Sequence, residues 1–572
     1  PSDLSLFKFT LNEDGESYSI AAKDKTLSGR IALPETYNGL DITIIAVKGF
    51  YGCRQMKTVY IPSSYRIIKA EGFCSTGLIQ VYIAEGLTTI EAFAFRNIGI
   101  LTVFELPASV NDIHWMGFAE MNTLKLMQFD WLSQIQKDAL FNFKFTTAEN
   151  GFYSWNDVDK VLYGDGGKQA VFASPSITEL DFNEEMVEIY PYLCYYYPLL
   201  QKVTIQAHNV KIGPSAFFYC NTLTIVNIEG SIKKIWGSEY KEFDGLTNVT
   251  SCKGAFLGVS VDTFNFPSGL EYIGEGVFFF CWQLTQITIP NTIQYISEEA
   301  FENNDTYTYF NGGITQIIIQ GENDYYYADG NKAIIEKGTG VNGGDTLLYY
   351  CMNASGSEYA IPDGVTSLTP YAFAFSVNLT ALTIPEGVTE IPTAFAQFSK
   401  ELTTVIISST VEKIIWSLPG TECRWGGANI LGSYGAFLMC EKLTEISFAP
   451  NSQLELIEQN SFNGIGCTTL NLPSSVKTIL PYAIYGEKLT AITVEDSPNA
   501  NYCDVNGVLY TADMKLLVAY PSGNTASEYV IPGDVEEIGE VAFNSCIYIE
   551  KIIMSDSVKI IGRNSFINCY TV

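Results

Sequence analysis

A phenylalanine returns along this chain at a nearly fixed step. Phe50, Phe73, Phe95 and Phe118 lie 23, 22 and 23 residues apart, each five residues after an isoleucine: Ile45, Ile68, Ile90 and Ile113. The beat resumes at Phe217, at Phe256, Phe278 and Phe301, at Phe373 and Phe395, at Phe437 and Phe462, and at Phe543 and Phe566. A fixed period of this length marks stacked coils, each of which buries its apolar side only against its neighbours.

Each period holds one strand pattern. Ile287 and Ile289 alternate with Gln286 and Thr288, so the isoleucines point inward and the polar pair outward. Pro290 follows and stops the ladder, because proline has no N–H to donate. Pro62, Pro107, Pro267, Pro385 and Pro473 repeat that stop. The Phe segment is expected to be a short helical or 3₁₀ turn on the opposite face. About seventeen units of 22–23 residues follow from this register, with Leu140, Cys194 and Ile484 standing in for Phe. The expected fold is an α/β solenoid with a parallel β-sheet on its concave face.

Residues 1–44 read as an N-terminal β-cap and residues 45–572 as the solenoid. Three interruptions, near 151–180, 325–360 and 502–530, each hold two apolar runs around a polar, Gly-containing turn, the signature of a β-hairpin. Two lengthened links, near 236–254 and 416–435, start at Ile235-Trp236 and Ile415-Trp416. Insertions of this kind gather on one face of a solenoid, often the binding face. The chain opens at Pro1 rather than Met, which places its natural start upstream, and it stops six residues after Phe566, before a last strand.

The repeat resembles the BspA-type, or Treponema pallidum-type, leucine-rich repeat. Leu284-Thr285-Gln286-Ile287-Thr288-Ile289-Pro290 running through Ile293 and Ile296 to Ala300-Phe301 carries the likeness, as does Leu379-Thr380-Ala381-Leu382-Thr383-Ile384-Pro385 through Val388. The resemblance implies a leucine-rich repeat right-handed superhelix. It also implies a secreted or cell-surface bacterial protein, outer-membrane or wall associated. Such a protein would serve as a binding or adhesion scaffold for a host matrix protein, another cell-surface protein or a glycan.

Composition bears on partners. With 63 acids against 33 bases, the net charge is −30. No basic footprint exists for a nucleic-acid backbone. No run approaches the 18 apolar residues of a membrane-spanning helix. Thirteen cysteines are odd in number. Cys53, Cys220, Cys281, Cys440, Cys546 and Cys569 each lie three residues after a repeat Phe, and Cys194 takes the Phe position, so these read as small buried hydrophobes. Without a C-x-x-C pair neither zinc nor a dithiol centre is indicated.

Catalytic signatures are sparse. His114 and His208 have no Cys, His or Asp cluster around them. Acid pairs such as Glu184-Glu185 and Glu298-Glu299 read as solvated turns. Asp159 and Asp329 lie in Gly/Asn-rich turns without a calcium-loop pattern. No catalytic residue, metal or cofactor is therefore assigned. The candidate binding residues are the outward strand side chains Thr58, Tyr60, Asn227, Asn265, Gln286, Thr288, Thr383, Thr404 and Asn471, with Trp236, Trp416 and Trp425 from the long links. This face is expected to be mostly hydroxyl, amide and short aliphatic, suited to an uncharged partner or a protein strand. The competing readings are an accessory module for polysaccharide binding or degradation, and a structural spacer.

Overall fold

The computed structural model describes residues 2–98, 101, 103–114, 116–118, 121, 144–147, 152–237, 254–298, 300–301, 313–416 and 434–572. The chain divides into two compact units, one of residues 1–284 with 288–305 and the other of residues 306–572 with 285–287. Each is a stack of coils in which strands pair in parallel with those one coil away.

Every regular coil contributes two strands. A long one comes from the alternating segment, as in Met56–Ile61 and Gln80–Ile83, paired Thr58 to Gln80 and Tyr60 to Tyr82. A two-residue strand lies five residues before the Phe slot, as in Ile67–Ile68 and Thr89–Ile90. The inward Ile61, Ile68 and Ile90 are buried, and so is Phe73 between them, while Ile83 is partly buried.

The Phe segment is a non-helical turn. Residues two before and two after the plug take left-handed backbone, as with Glu71 (φ 56) and Ser75 (φ 58) around Phe73. A left-handed residue cannot propagate an α-helix and costs a non-glycine residue about 1–2 kcal/mol. The return is a backbone ladder. Glu71, Phe73 and Ser75 donate their N–H groups to the carbonyls of Ala92, Ala94 and Arg96 in the next coil, at 3.1, 2.8 and 2.8 Å.

The plugs form a column. In the first unit Phe50, Phe73, Phe95 and Phe118 stack in sequence with centroids 5.2, 5.5 and 5.8 Å apart. Phe217, Phe256, Phe278 and Phe301 repeat this at 5.3, 6.1 and 5.9 Å. The link after Trp236 leaves the pattern intact, since Lys234–Ile235 still pairs with Tyr272–Ile273. In the second unit Phe437 stacks on Phe462, and Tyr520, Phe543 and Phe566 form another run.

One plug departs from the expected register. Phe373 donates its N–H to the carbonyl of Phe395, whereas Phe73 donates to Ala94, the residue before the next plug. The slot after Phe373 therefore belongs to Ala396. Phe395, only four residues after Ile391, fills the core from one position early. Its ring meets Phe373 and Phe437 edge-on at 65° and 88° instead of stacking.

Position three after the slot holds six of the thirteen cysteines. Cys220 donates its Sγ–H to the carbonyl of Cys194, Cys281 to that of Phe256, Cys440 to that of Ala396, and Cys569 to that of Phe543. Tyr197 and Ser399 do the same with hydroxyls, to Ala173 and Phe373. The corner carbonyl of the preceding coil needs a donor, because an unsatisfied buried carbonyl is costly. Any small or reaching side chain with a hydrogen to give will serve.

Three antiparallel meanders interrupt the coils: Tyr153–Asn156 with Val161–Gly164 and Gln169–Ala173, Tyr326–Asp329 with Ala333–Glu336 and Asp345–Tyr350, and Tyr502–Val505 with Val508–Thr511 and Leu516–Ala519. In each, the third strand then pairs in parallel with a strand of the next coil, Glu188–Ile189, Val365–Leu368 and Glu537–Ile538 in turn. The opening tyrosine of two meanders also closes the preceding ladder. Ile113 donates its N–H to the Tyr153 hydroxyl at 2.8 Å, and Ile479 donates to that of Tyr502 at 3.1 Å. At the N-terminus the hairpin Phe7–Leu11 and Ser17–Ala22 pairs with Leu40–Ile45, and Gly29–Ala32 heads the long-strand ladder.

Candidate binding face and cleft

Parallel pairing places outward side chains of successive long strands in rows. In the first unit Thr58 faces Gln80 and Tyr60 faces Tyr82, while Glu179, Lys202 and Ile225 form one row and Asp181, Thr204 and Asn227 the next. In the second, Ala360, Thr383, Ile406 and Ser447 align, as do Asn471 and Thr493.

Among the expected contact residues, Tyr60, Asn227, Asn265 and Asn471 are exposed, and Gln286, Thr383 and Thr404 half-buried. Thr58 and Thr288 are buried, which corrects their assignment as surface contacts. Longer neighbours on the same row cover so short a side chain; Thr58 gives its hydroxyl to Gln80. Trp236 is half-buried and packs on Tyr272 at 5.3 Å, with Lys234 over both rings. Trp416 is half-buried, and its backbone N–H donates to Glu458 at 2.6 Å. Trp425 lies outside the described residues.

The face is less neutral than expected. Coils with weaker sequence signals add Glu179, Asp181, Glu358 and Glu528 to its rows. Two of these sit beside lysines, Glu179 by Lys202 and Glu528 by Lys551. Tyr82 and Gln80, also absent from the expected contacts, were discoverable: Tyr82 lies 22 residues after Tyr60, but no proline follows its strand. The Tyr60 and Tyr82 rings lie 4.8 Å apart and 7° from parallel. Each spends a face on the other, so the pair offers edges and hydroxyls outward.

A cleft of about 440 Å³ opens in the second unit where the second meander turns. Thr315 and Gln316 at the start of a long strand form one wall. Asn331 and Lys332 in the meander turn, with Ser355 and Asn378 in the next loops, complete it. Gly330 (φ 55) and Asn331 (φ 57) set the turn, a geometry glycine and asparagine tolerate best. Asn378 donates its amide to the Asn353 side chain at 2.9 Å and to the carbonyl of Ala354 at 3.2 Å, fixing that wall. Sequence reasoning missed these residues because they lie between strands. The signal available was the pair Asn353 and Asn378, 25 residues apart near equivalent corners.

The meander aspartates are engaged within the protein. Asp159 accepts from the Tyr163 hydroxyl at 2.8 Å and Asp329 from the Tyr359 hydroxyl at 2.7 Å. Burial, with the adjacent carboxylate, holds both phenols well above their ordinary range. Among the described residues no three His, Cys, Asp or Glu side chains gather as a metal site. His114 lies beside Asp112 at 3.2 Å, and His208 shares a hydrogen bond with Ser231. No described helix is long and apolar enough to cross a membrane.

Family models place this architecture. The BspA type leucine-rich repeat region matches in six copies, over residues 41–151, 167–254, 250–328, 342–417, 430–504 and 519–572. The chain belongs to the BspA-type leucine-rich repeat family. Solved structures similar to this family member include a leucine-rich cell surface protein from Faecalibacterium prausnitzii A2-165, 16% identical, with a TM-score of 0.30, covering 97% of this chain and 95% of that one. The pneumococcal vaccine antigen PcpA is 14% identical, with a TM-score of 0.28 and coverage of 97% and 96%. The leucine-rich repeat protein of T. pallidum is 16% identical, with a TM-score of 0.24, covering 50% of this chain and 90% of that one. A search of curated protein sequences finds no match.

Proposed function

We propose that this chain is a non-enzymatic binding scaffold of the bacterial cell surface, whose long-strand face and meanders engage a host matrix protein, another surface protein or a glycan. The observation that carries this reading is the register of the face. Tyr60 and Tyr82, Ile225 and Asn227, Ile406, and Asn471 with Thr493 stand outward in rows on hydrogen-bonded backbone. Side chains held this way lose little freedom on binding, which is the main saving a preorganised surface offers. Exposed tyrosine adds large amphipathic contact area.

The experiment is solid-phase capture of matrix proteins, bacterial cells and polysaccharides by the purified chain. A paired variant carries Tyr60→Ala, Tyr82→Ala and Asn471→Arg. Capture by the native chain and its loss in the variant support the reading. Equal capture by both removes the long-strand face from the mechanism.

A further inference from the structure

We propose that the cleft at the second meander turn binds an acidic sugar, a monosaccharide bearing a carboxylate within a glycan chain. This deepens, and rests on, the reading of the chain as a binding scaffold.

The first argument is charge. Several lysines elsewhere pair across coils with glutamates: Lys69 with Glu91, Lys442 with Glu401, Lys477 with Glu455, and Lys551 with Glu528. Among those without such a pair, Lys8, Lys211, Lys413 and Lys488 are exposed. Lys332, half-buried in the cleft wall, has no acidic partner and no hydrogen bond through its ammonium among the described residues. Asp329, three residues earlier, gives its carboxylate to Tyr359 instead. The ammonium lies over Gly356, where a Cβ would come within 3.2 Å of Nζ. Glycine there, at φ 92, leaves the cation room. A positive group left uncommitted within a strongly acidic chain suits a carboxylate from outside.

The second argument is the lining. Every named side chain of the cleft is an amide, a hydroxyl or Lys332. Among the described residues the Asn331 amide and the Ser355 hydroxyl have no hydrogen-bond partner. Together they present donors and acceptors of both kinds, the complement of a ring of sugar hydroxyls. A docked peptide helix or strand would call for an apolar pocket to receive its anchors, and this cleft has none. Its volume lies within the range of small-molecule sites.

The test is calorimetric titration of the whole chain with three sets of oligosaccharides of one core, terminating in glucuronic acid, sialic acid or glucose. One or both acidic sets should bind on the order of tenfold more tightly than the neutral set, as a charge-assisted bond implies. Lys332→Gln should abolish that preference with thermal stability unchanged, and Lys332→Arg should keep most of it. Equal binding of acidic and neutral sets, indifference to Lys332→Gln, or binding of acidic peptides in place of glycans would overturn the proposal. If the chain still captures a partner through Tyr60 and Asn471 while no acidic glycan binds, the cleft assignment falls and the scaffold reading stands. If acidic glycans bind through Lys332 while face substitutions leave capture unchanged, the cleft assignment stands and the long-strand face drops out of the mechanism.

Discussion

The N–H of Phe373 donates to the carbonyl of Phe395 at 2.8 Å, which puts Ala396 in the slot that a phenylalanine occupies in neighbouring coils. Both Phe395 and Ala396 are fully buried, so the core is filled at this level by a side chain entering from one residue early. Ser399 and Cys440 confirm the register, because their side chains donate to the carbonyls of Phe373 and Ala396, the two slot residues.

This arrangement predicts an asymmetry between adjacent positions. Phe395→Ala opens a cavity and should cost about 3–5 kcal/mol. Ala396→Phe overfills the same level and should cost about 1–3 kcal/mol. The double variant, with alanine at 395 and phenylalanine at 396, restores the regular plug and should be more stable than Phe395→Ala alone. Denaturant unfolding of the three variants measures this.

The turn of the third meander gives a second prediction. Asn506 (φ 53) and Gly507 (φ 78) form the two-residue connection between Tyr502–Val505 and Val508–Thr511. A Cβ on Gly507 would lie 2.7 Å from that of Ala491. Left-handed strain and the clash together should make Gly507→Ala destabilising by about 2 kcal/mol. Gly533, where an added Cβ meets nothing within 4 Å, is the control, and Gly533→Ala should be near neutral. Thermal melts and amide exchange across the meander report both.

Tyr502 offers a third. Its hydroxyl accepts from the Ile479 N–H, so Tyr502→Phe leaves that donor at the ladder edge unpaired. The expected cost is about 1–2 kcal/mol, with faster hydrogen exchange at the Ile479 amide. The exposed Tyr548 is the comparison, and Tyr548→Phe should change neither.

Much of this architecture is legible in the sequence, for a physical reason. The plug, the inward isoleucines and the strand-ending prolines recur because each coil repeats one solution to burying the same apolar edge. Phe395 misleads because it keeps the 22-residue step from Phe373 while slipping by one from Ile391. Composition tolerates that slip, and the hydrogen bonds decide which residue holds the slot. The opening strands of the meanders, such as Tyr153–Asn156, carry polar and aromatic residues in place of an aliphatic run. Their strand character comes from pairing, and local pattern does not report it. The cleft was illegible because it assembles loop residues from 315 to 378, and loops carry no period.

Buried thiols contribute to a loss of stability at alkaline pH. Burial pushes Cys220, Cys281 and Cys440 up from 9.0 to about 12. Between those values the unfolded chain has lost protons that the folded one retains, so stability falls as pH rises. It is fully present below pH 9 and declines from 9 toward 12, by on the order of 1 kcal/mol per pH unit for each such thiol. Replacing all three with serine, which still donates to the corner carbonyl, should make the decline shallower. Thermal melts from pH 7 to pH 11 follow it.

The scaffold reading is tested most directly by surface-plasmon capture of a matrix protein or glycan ligand. The native chain is compared with the Tyr60→Ala, Tyr82→Ala, Asn471→Arg variant and with Lys332→Gln, all verified as folded by thermal melting. The account predicts saturable binding that weakens at least about tenfold when the face or the cleft is altered. Saturable binding that survives both sets of substitutions unchanged would contradict it.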